Sequence, residues 1–181
     1  MAGSGLISGI ASANLGFESG SPYLPPLQPL ALIFGLAPEQ LPIGLYFGAI
    51  VALGIFSWTR NLWSVPVLLV TTMYAWSAAI QVGIRLQRTS GDDPYLVAAS
   101  LAAGAAGAGI THLGCALFSP GLRRPSRIAL TTVVGALAGM LLYMSERKMI
   151  DMRWLFIVWQ PVVAFCIGLG LTVRNRGGSA V

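Results

Sequence analysis

Five uninterrupted apolar runs, each 17 to 24 residues long, constrain the fold of this chain more than any other feature. As a helix, a run of this length crosses the roughly 30 Å of hydrocarbon in a bilayer. All 17 charged residues lie outside the runs. The sequence therefore predicts an all-α, polytopic integral membrane protein with five transmembrane helices. The predicted spans are residues 41–58, 62–84, 95–118, 128–144 and 154–172.

The composition leaves no room for a soluble domain beside the spans. Of the 181 residues, 55% are hydrophobic and 9% are charged, against about 25% charged residues in an ordinary soluble domain. Besides the loops, the spans leave only the first 40 residues and a polar tail at 173–181. We therefore expect the lipid bilayer to be the main partner, and any activity to lie within or at the bilayer.

Residues 1–40 are predicted to form a tail rather than a further span. The part between Ser21 and Pro38 contains five prolines, and its longest unbroken apolar stretch is about ten residues, which is too short to cross a bilayer. Proline fixes φ and lacks a backbone donor. We therefore expect a Pro-rich interfacial or re-entrant segment, with a loosely ordered tail as the alternative.

The basic residues are divided almost evenly between the two sides of the predicted bundle. Five lie on the amino-terminal side and six on the opposite side, whereas all six acidic residues lie on the amino-terminal side. Because Lys and Arg favour cytoplasmic loops, the pattern favours an outside amino terminus and a cytoplasmic carboxyl terminus, in a cell or inner membrane. Nucleic acid is not an expected partner, since the arginine cluster at 123–127 presents no extended basic surface.

Small residues recur at every fourth position in each of the five runs. In lipid, small residues let helix backbones approach closely and gain van der Waals contact. We therefore expect five tightly packed helices, with the third at the centre and enough remaining interface for a homo-oligomer or for other membrane subunits. The glycines predicted at helix contacts are Gly44, Gly48, Gly104, Gly107, Gly135, Gly139 and Gly168.

Groups able to perform catalysis or ion coupling are missing from the predicted spans. Ion-coupled carriers usually keep an ionisable residue inside the bilayer, and metal or acid–base enzymes need several such groups close together. Cys115 and Cys166 fall in different runs without the spacing of a redox pair. We therefore predict no enzyme activity, no metal and no cofactor. A soft-metal site of His112 with both cysteines is the weaker alternative.

Four residues in the spans are candidates for lining a pore or cavity: Thr111, His112, Gln160 and Pro161. Pro161 leaves the carbonyl of Ile157 without its helical donor, and a free carbonyl beside an amide could coordinate a solute or ion. Each candidate also has a structural interpretation. The His112 ring could be neutral and hydrogen-bonded at a helix contact, and the Gln160–Pro161 pair could form a simple kink.

The function that these observations favour is a passive channel or facilitator for a small solute or ion. The alternative is a non-catalytic structural or assembly subunit of a larger membrane complex, whose small-residue faces dock onto its partners. Both hypotheses follow from the class of protein, because no channel filter or cofactor motif is visible in the chain.

Overall fold

A computed structural model describes residues 1–15, 28–35, 41–89 and 93–172 as an all-helical bundle, with no strand in these ranges. The helices are α1 (Ala2–Leu15), α2 (Gln28–Phe34), α3 (Leu41–Thr59), α4 (Ser64–Thr89), α5 (Asp93–Phe118), a single-turn helix (Pro120–Arg123), α6 (Pro125–Glu146) and α7 (Arg153–Thr172). We call residues Pro120–Arg123 the plug turn.

Five of these helices, α3 to α7, are long and apolar enough to cross a membrane. This confirms the predicted number of long apolar helices, and it is what a membrane protein requires. The predicted boundaries differ from the observed ones by up to five residues, because helical hydrogen bonding continues past the last apolar residue into charged sequence. The helices α4 and α6, for example, run to Thr89 and from Pro125. Proline is well suited to a first helical turn, since its missing N–H would be unpaired there.

The long helices run up and down, so that α3, α5 and α7 begin at one end of the bundle and α4 and α6 begin at the other. We call these the mouth end and the plug end, respectively. Helix α5 packs along both α4 and α6 and also contacts α3 and α7. Its run of small residues allows this, because they leave its backbone accessible on several faces.

Residues 2–15, which the sequence analysis assigned to a tail, form helix α1 and pack along α7 and α3. The contact is close: a Cβ placed on Gly5 would lie 2.8 Å from the Cα of Pro161. A search for runs of 17 or more apolar residues could not detect α1, because its 14 residues reach about 21 Å.

Most of the predicted Pro-rich segment, and the whole of the tail at 173–181, lie outside the described residues. The described part of the segment is α2, which is held against α4 by two side chains. The hydroxyl of Ser77 donates to the carbonyl of Phe34, and the amide of Gln81 donates to the carbonyl of Gly35 at 3.3 Å.

Glycines form the contact between α5 and α6. A Cβ on Gly104 would lie 2.9 Å from the Cα of Gly139, and a Cβ on Gly139 would lie 3.0 Å from the Cα of Gly104. Gly135 faces Ala108 in the same contact. The other predicted glycines face side chains: Gly44 faces Met73 and Trp76, Gly48 faces Thr72 and Leu69, Gly107 faces Trp159, and Gly168 faces Met1.

The plug end is filled by a compact apolar core. Ile55, Leu68, Cys115, Leu122 and Ile167 are fully buried there, in a cluster to which α3, α4, α5, α7 and the plug turn all contribute. Close packing of this kind leaves no space for a solute among these side chains. A groove of about 820 Å³ at the same end lies outside this core, between α1, α3 and α7.

Two arginines hold the plug turn against the helix ends. The guanidinium of Arg127 donates to the carbonyls of Gly121 and Gly170, and Arg123 donates to the carbonyls of Ala116 and Leu117. Basic side chains are favourable at these positions because the last carbonyls of a helix lack backbone partners and carry partial negative charge.

Candidate functional site

A cavity of about 380 Å³ lies among α3, α4, α5, α6 and α7 and reaches the mouth end of the bundle. Its volume falls within the range of small-molecule sites. Near the mouth it is lined by Ile84, Leu96, Glu146 and Met152. Its deep end is lined by Phe47, Thr72, Thr111, Trp159 and Gln160.

The cavity lining extends furthest along α5. Along α5 its lining runs from Leu96 to Thr111, a distance of about 22 Å at 1.5 Å per residue. Thr111 is seven residues from the last residue of α5, Phe118. The cavity is therefore accessible from the mouth end and is separated from the plug end by the packed core.

Small residues and aromatic rings together give the cavity its shape. The small residues include Ala75 and Ala79 on α4 and Ala99, Ala103, Gly104 and Gly107 on α5. Two aromatic pairs also belong to the lining. The rings of Phe47 and Trp159 are 5.4 Å apart, and those of Trp76 and Phe156 are 5.6 Å apart. Small side chains thus create the space, and aromatic side chains form its flat walls.

Three buried polar atoms in the cavity lining have no hydrogen-bond partner among the described residues. They are Oγ of Ser100, Oγ1 of Thr111 and Nε1 of Trp159. The residues Ser100 and Thr111 are 0% and 1% exposed. Leaving a buried donor or acceptor unpaired costs about 1–3 kcal/mol. These atoms therefore favour a bound molecule that supplies hydrogen bonds inside the cavity.

Of the four predicted lining residues, the structure brings Thr111 and Gln160 together at the deep end of the cavity. The Gln160 amide is already paired outside the cavity, on α1. The hydroxyl of Ser8 donates to Oε1 at 2.6 Å, and Nε2 donates to the hydroxyl of Ser12 at 3.0 Å. Pro161 packs against Gly5 of α1 and is not part of the cavity lining.

His112 lies apart from the cavity lining, fully buried between α5, α6 and the plug turn. Its Nε2 is 3.0 Å from the carbonyl oxygen of Leu122, and its Nδ1 is 2.8 Å from the hydroxyl of Thr131. A carbonyl can only accept, so Nε2 carries a proton. The Thr131 hydroxyl has one proton, which it shares between Nδ1 of the neutral ring and the carbonyl of Arg127, 3.0 Å away. The imidazole therefore joins the plug turn to two helices.

The cysteines and acidic residues form no metal site in the described part of the chain. No three His, Cys, Asp or Glu side chains converge there, and both Cys115 and Cys166 are buried and free. The soft-metal alternative has no geometric support among these residues.

Of the three residues with unpaired polar atoms, Ser100 and Trp159 were not predicted to line the cavity. Ser100 precedes Thr111 by 11 residues, which is about three turns and places both hydroxyls on one face of α5. Trp159 lies in the interior of α7, whereas membrane tryptophans usually lie at the interface. A buried indole N–H normally has a partner, so its position could have identified it as a site residue.

No family model, no curated protein and no solved structure matches this chain. The fold and the site define its class directly: an all-helical bundle with five helices long and apolar enough to cross a membrane and a cavity among them.

Proposed function

We propose that this chain is an integral membrane protein that acts as a passive facilitator for a small solute, with the interhelical cavity as its solute site. The observation that carries the proposal is the contrast between the two ends of the bundle. The mouth end opens into a cavity whose lining extends about 22 Å along α5, and the plug end contains a fully buried apolar core. A route closed at one end is typical of alternating access.

In this mechanism, the solute enters from the mouth end and leaves when the plug end opens. The plug turn is the element expected to move, because it is the shortest element that closes this end. It is held by hydrogen bonds from His112, Arg123 and Arg127 and by the buried side chain of Leu122. Breaking and re-forming these hydrogen bonds consumes no ATP and no ion gradient, so net movement of the solute follows its own gradient. Energy coupling is not required.

The charge distribution supports a passive mechanism for an uncharged solute. Among the described lining residues, Glu146 at the mouth is the one acidic or basic side chain. An ion at the deep end would lose its hydration without gaining a counter-charge, at a large cost. This argument favours a small neutral solute over an ion.

We propose that the mouth end faces outside and the plug end faces the cytoplasm, because the plug side of the sequence carries six basic and no acidic residues. In this orientation Met1, which packs against Gly54 and Gly168 near the plug end, lies on the cytoplasmic side, unlike the outside amino terminus that the sequence analysis favours. A homo-oligomer is proposed as well, formed through the outer face of α6. Its side chains Leu130, Val133 and Leu137 are exposed in the single chain. The same face supports the second candidate function, a structural subunit that docks onto another membrane protein.

The test is thiol accessibility in sealed vesicles. In a background with Cys115→Ala and Cys166→Ala, Thr111→Cys places one thiol at the deep end of the cavity. A membrane-impermeant methanethiosulfonate reagent is then added from one face or from the other. The matched control is Val163→Cys, a fully buried position in the plug-end core.

A facilitator predicts that Thr111→Cys, although the Thr111 side chain is 1% exposed, is labelled from the mouth side and more slowly from the plug side, whereas Val163→Cys reacts from neither. Labelling from the mouth side alone would refute the facilitator and favour the subunit. No labelling from either side would refute solute access to the deep end.

A further inference from the structure

We propose that the cavity binds a neutral, flat ring molecule bearing carbonyl or hydroxyl oxygens, with an oxygen directed to Trp159 and Thr111. This inference deepens the proposed function, because it assigns the chemical class of the solute to the same cavity. It is carried by three independent properties of the lining: its unpaired polar atoms, its aromatic walls and its charge.

The unpaired atoms require an acceptor on the ligand. An indole N–H can only donate, so Trp159 needs an oxygen or nitrogen acceptor, whereas the hydroxyls of Ser100 and Thr111 can both donate and accept. A pure hydrocarbon would leave all three unpaired at the cost described above. A molecule with acceptor oxygens satisfies the indole and at least one hydroxyl.

The walls favour a flat ring over a globular solute. Four aromatic side chains, in two tilted pairs, line the cavity. The α5 part of the lining consists largely of glycine and alanine, of which Gly107 contacts Trp159 and Gly104 contacts α6. A planar ring can occupy the remaining space and contact the aromatic rings edge-on or offset, arrangements that aromatic pairs prefer.

The charge of the lining excludes ionised ligands from the deep end. Glu146 lines the mouth, and the neighbouring Arg147 is paired with Asp93. Trp159 lies six residues into α7 from Arg153, about 9 Å further along the helix axis. A carboxylate ligand would meet the Glu146 charge at entry and would find no cationic side chain at the deep end, so the bound molecule is neutral.

The experiment measures binding of 2,3-dimethyl-1,4-naphthoquinone to the full chain in lipid nanodiscs. This probe has ring oxygens and no free quinone carbon at which a thiol could add. Its matched control is 2,3-dimethylnaphthalene, which has the same ring system without oxygens, and 2-naphthoate tests the effect of charge. Radiolabelled probe is counted against empty nanodiscs, so that partition into lipid is subtracted.

We expect one saturable quinone site per chain, with an affinity at least 10-fold above that of dimethylnaphthalene and no saturable binding of naphthoate. Trp159→Phe and Thr111→Val should each weaken quinone binding about 5- to 30-fold, the range expected for one buried hydrogen bond. Neither variant should alter binding of dimethylnaphthalene. The control Thr71→Val should change neither probe, since its hydroxyl is bonded to the Val67 carbonyl and lies outside the lining.

Three results would overturn the assignment. They are the absence of saturable quinone binding, equal binding of the two neutral probes, and equal losses for both probes in Trp159→Phe and Thr111→Val. The first would leave water as the partner of the unpaired atoms. This test and the thiol-labelling test can fail independently. Quinone binding together with labelling of Thr111→Cys from the mouth side alone would support the ligand class and refute transport. Labelling from both sides without quinone binding would refute the ligand class alone.

Discussion

The contact between α5 and α6 gives the sharpest prediction about stability, through Gly104→Ala. A Cβ at this position would meet the carbonyl oxygen of Gly135 first and would lie 2.9 Å from the Cα of Gly139, so the two helix backbones must move apart. Overpacking of this kind costs about 1–3 kcal/mol, whereas alanine in place of glycine favours a helix by about 1 kcal/mol. We therefore expect Gly104→Ala to lower the free energy of unfolding by about 1 kcal/mol.

The matched control is Gly83→Ala in α4. A Cβ there would meet the nearest atom, Cβ of Ala103, at an ordinary 3.7 Å, so the helix preference alone should stabilise the protein. Both variants would be unfolded by sodium dodecyl sulfate in mixed micelles and followed by circular dichroism, and they should differ by about 1–3 kcal/mol. Equal stabilisation by the two substitutions would refute the close backbone contact between α5 and α6.

Three further predictions concern α1, the plug turn and the orientation. Ser8→Ala should lower the free energy of unfolding by about 1–3 kcal/mol, because Oε1 of buried Gln160 loses its donor; an unchanged unfolding curve would argue against the docking of α1. His112→Leu removes both hydrogen bonds of the imidazole to the plug turn and α6, so the native Cys115 should react faster with N-ethylmaleimide. An unchanged rate would mean that the imidazole does not hold the plug turn. In whole cells, an impermeant thiol reagent should fail to label exposed Ser126→Cys until the cells are opened, and labelling of intact cells would reverse the proposed orientation.

The five long helices could be predicted because their signal is local. Apolar length and the position of charges are properties of consecutive residues, and they locate helices whatever the helices pack against. The ends of the helices were less predictable, because backbone hydrogen bonding and not hydropathy decides where a helix stops. Helix α4, for example, continues through Arg85 to Thr89.

Helix α1 and the cavity could not be predicted because both depend on packing between distant residues. In the sequence, Ser8 and Ser12 of α1 are indistinguishable from tail residues. Their role depends on hydrogen bonds to Gln160, some 150 positions later in the chain. A small residue is equally ambiguous, because the space it leaves is either filled by a neighbouring backbone or left open. Gly104 does both, contacting Gly139 and also lining the cavity.

The direction of the His112 ring was unpredictable for a related reason. Small residues lie on nearly every face of α5, so the sequence does not distinguish the cavity side of this helix from the plug side. His112 and Thr111 are adjacent in sequence but differ by about 100° around the helix axis. That rotation separates a residue in the cavity lining from one that holds the plug turn.

The most direct test of the account asks whether solute reaches the deep end of the cavity through the plug end. The Cγ of Leu122, where Sγ would lie after Leu122→Cys, is 3.6 Å from the position of a Cβ on Gly170, so a thiol at position 170 can reach it. Leu122→Cys with Gly170→Cys, in the background without native cysteines, should therefore lock the plug turn to α7 on oxidation. The measured quantity is the rate at which Thr111→Cys reacts with the impermeant reagent from the plug side. The account predicts that oxidation abolishes this reaction, leaves labelling from the mouth side unchanged, and is reversed by reduction; an undiminished plug-side rate in the locked protein would contradict it.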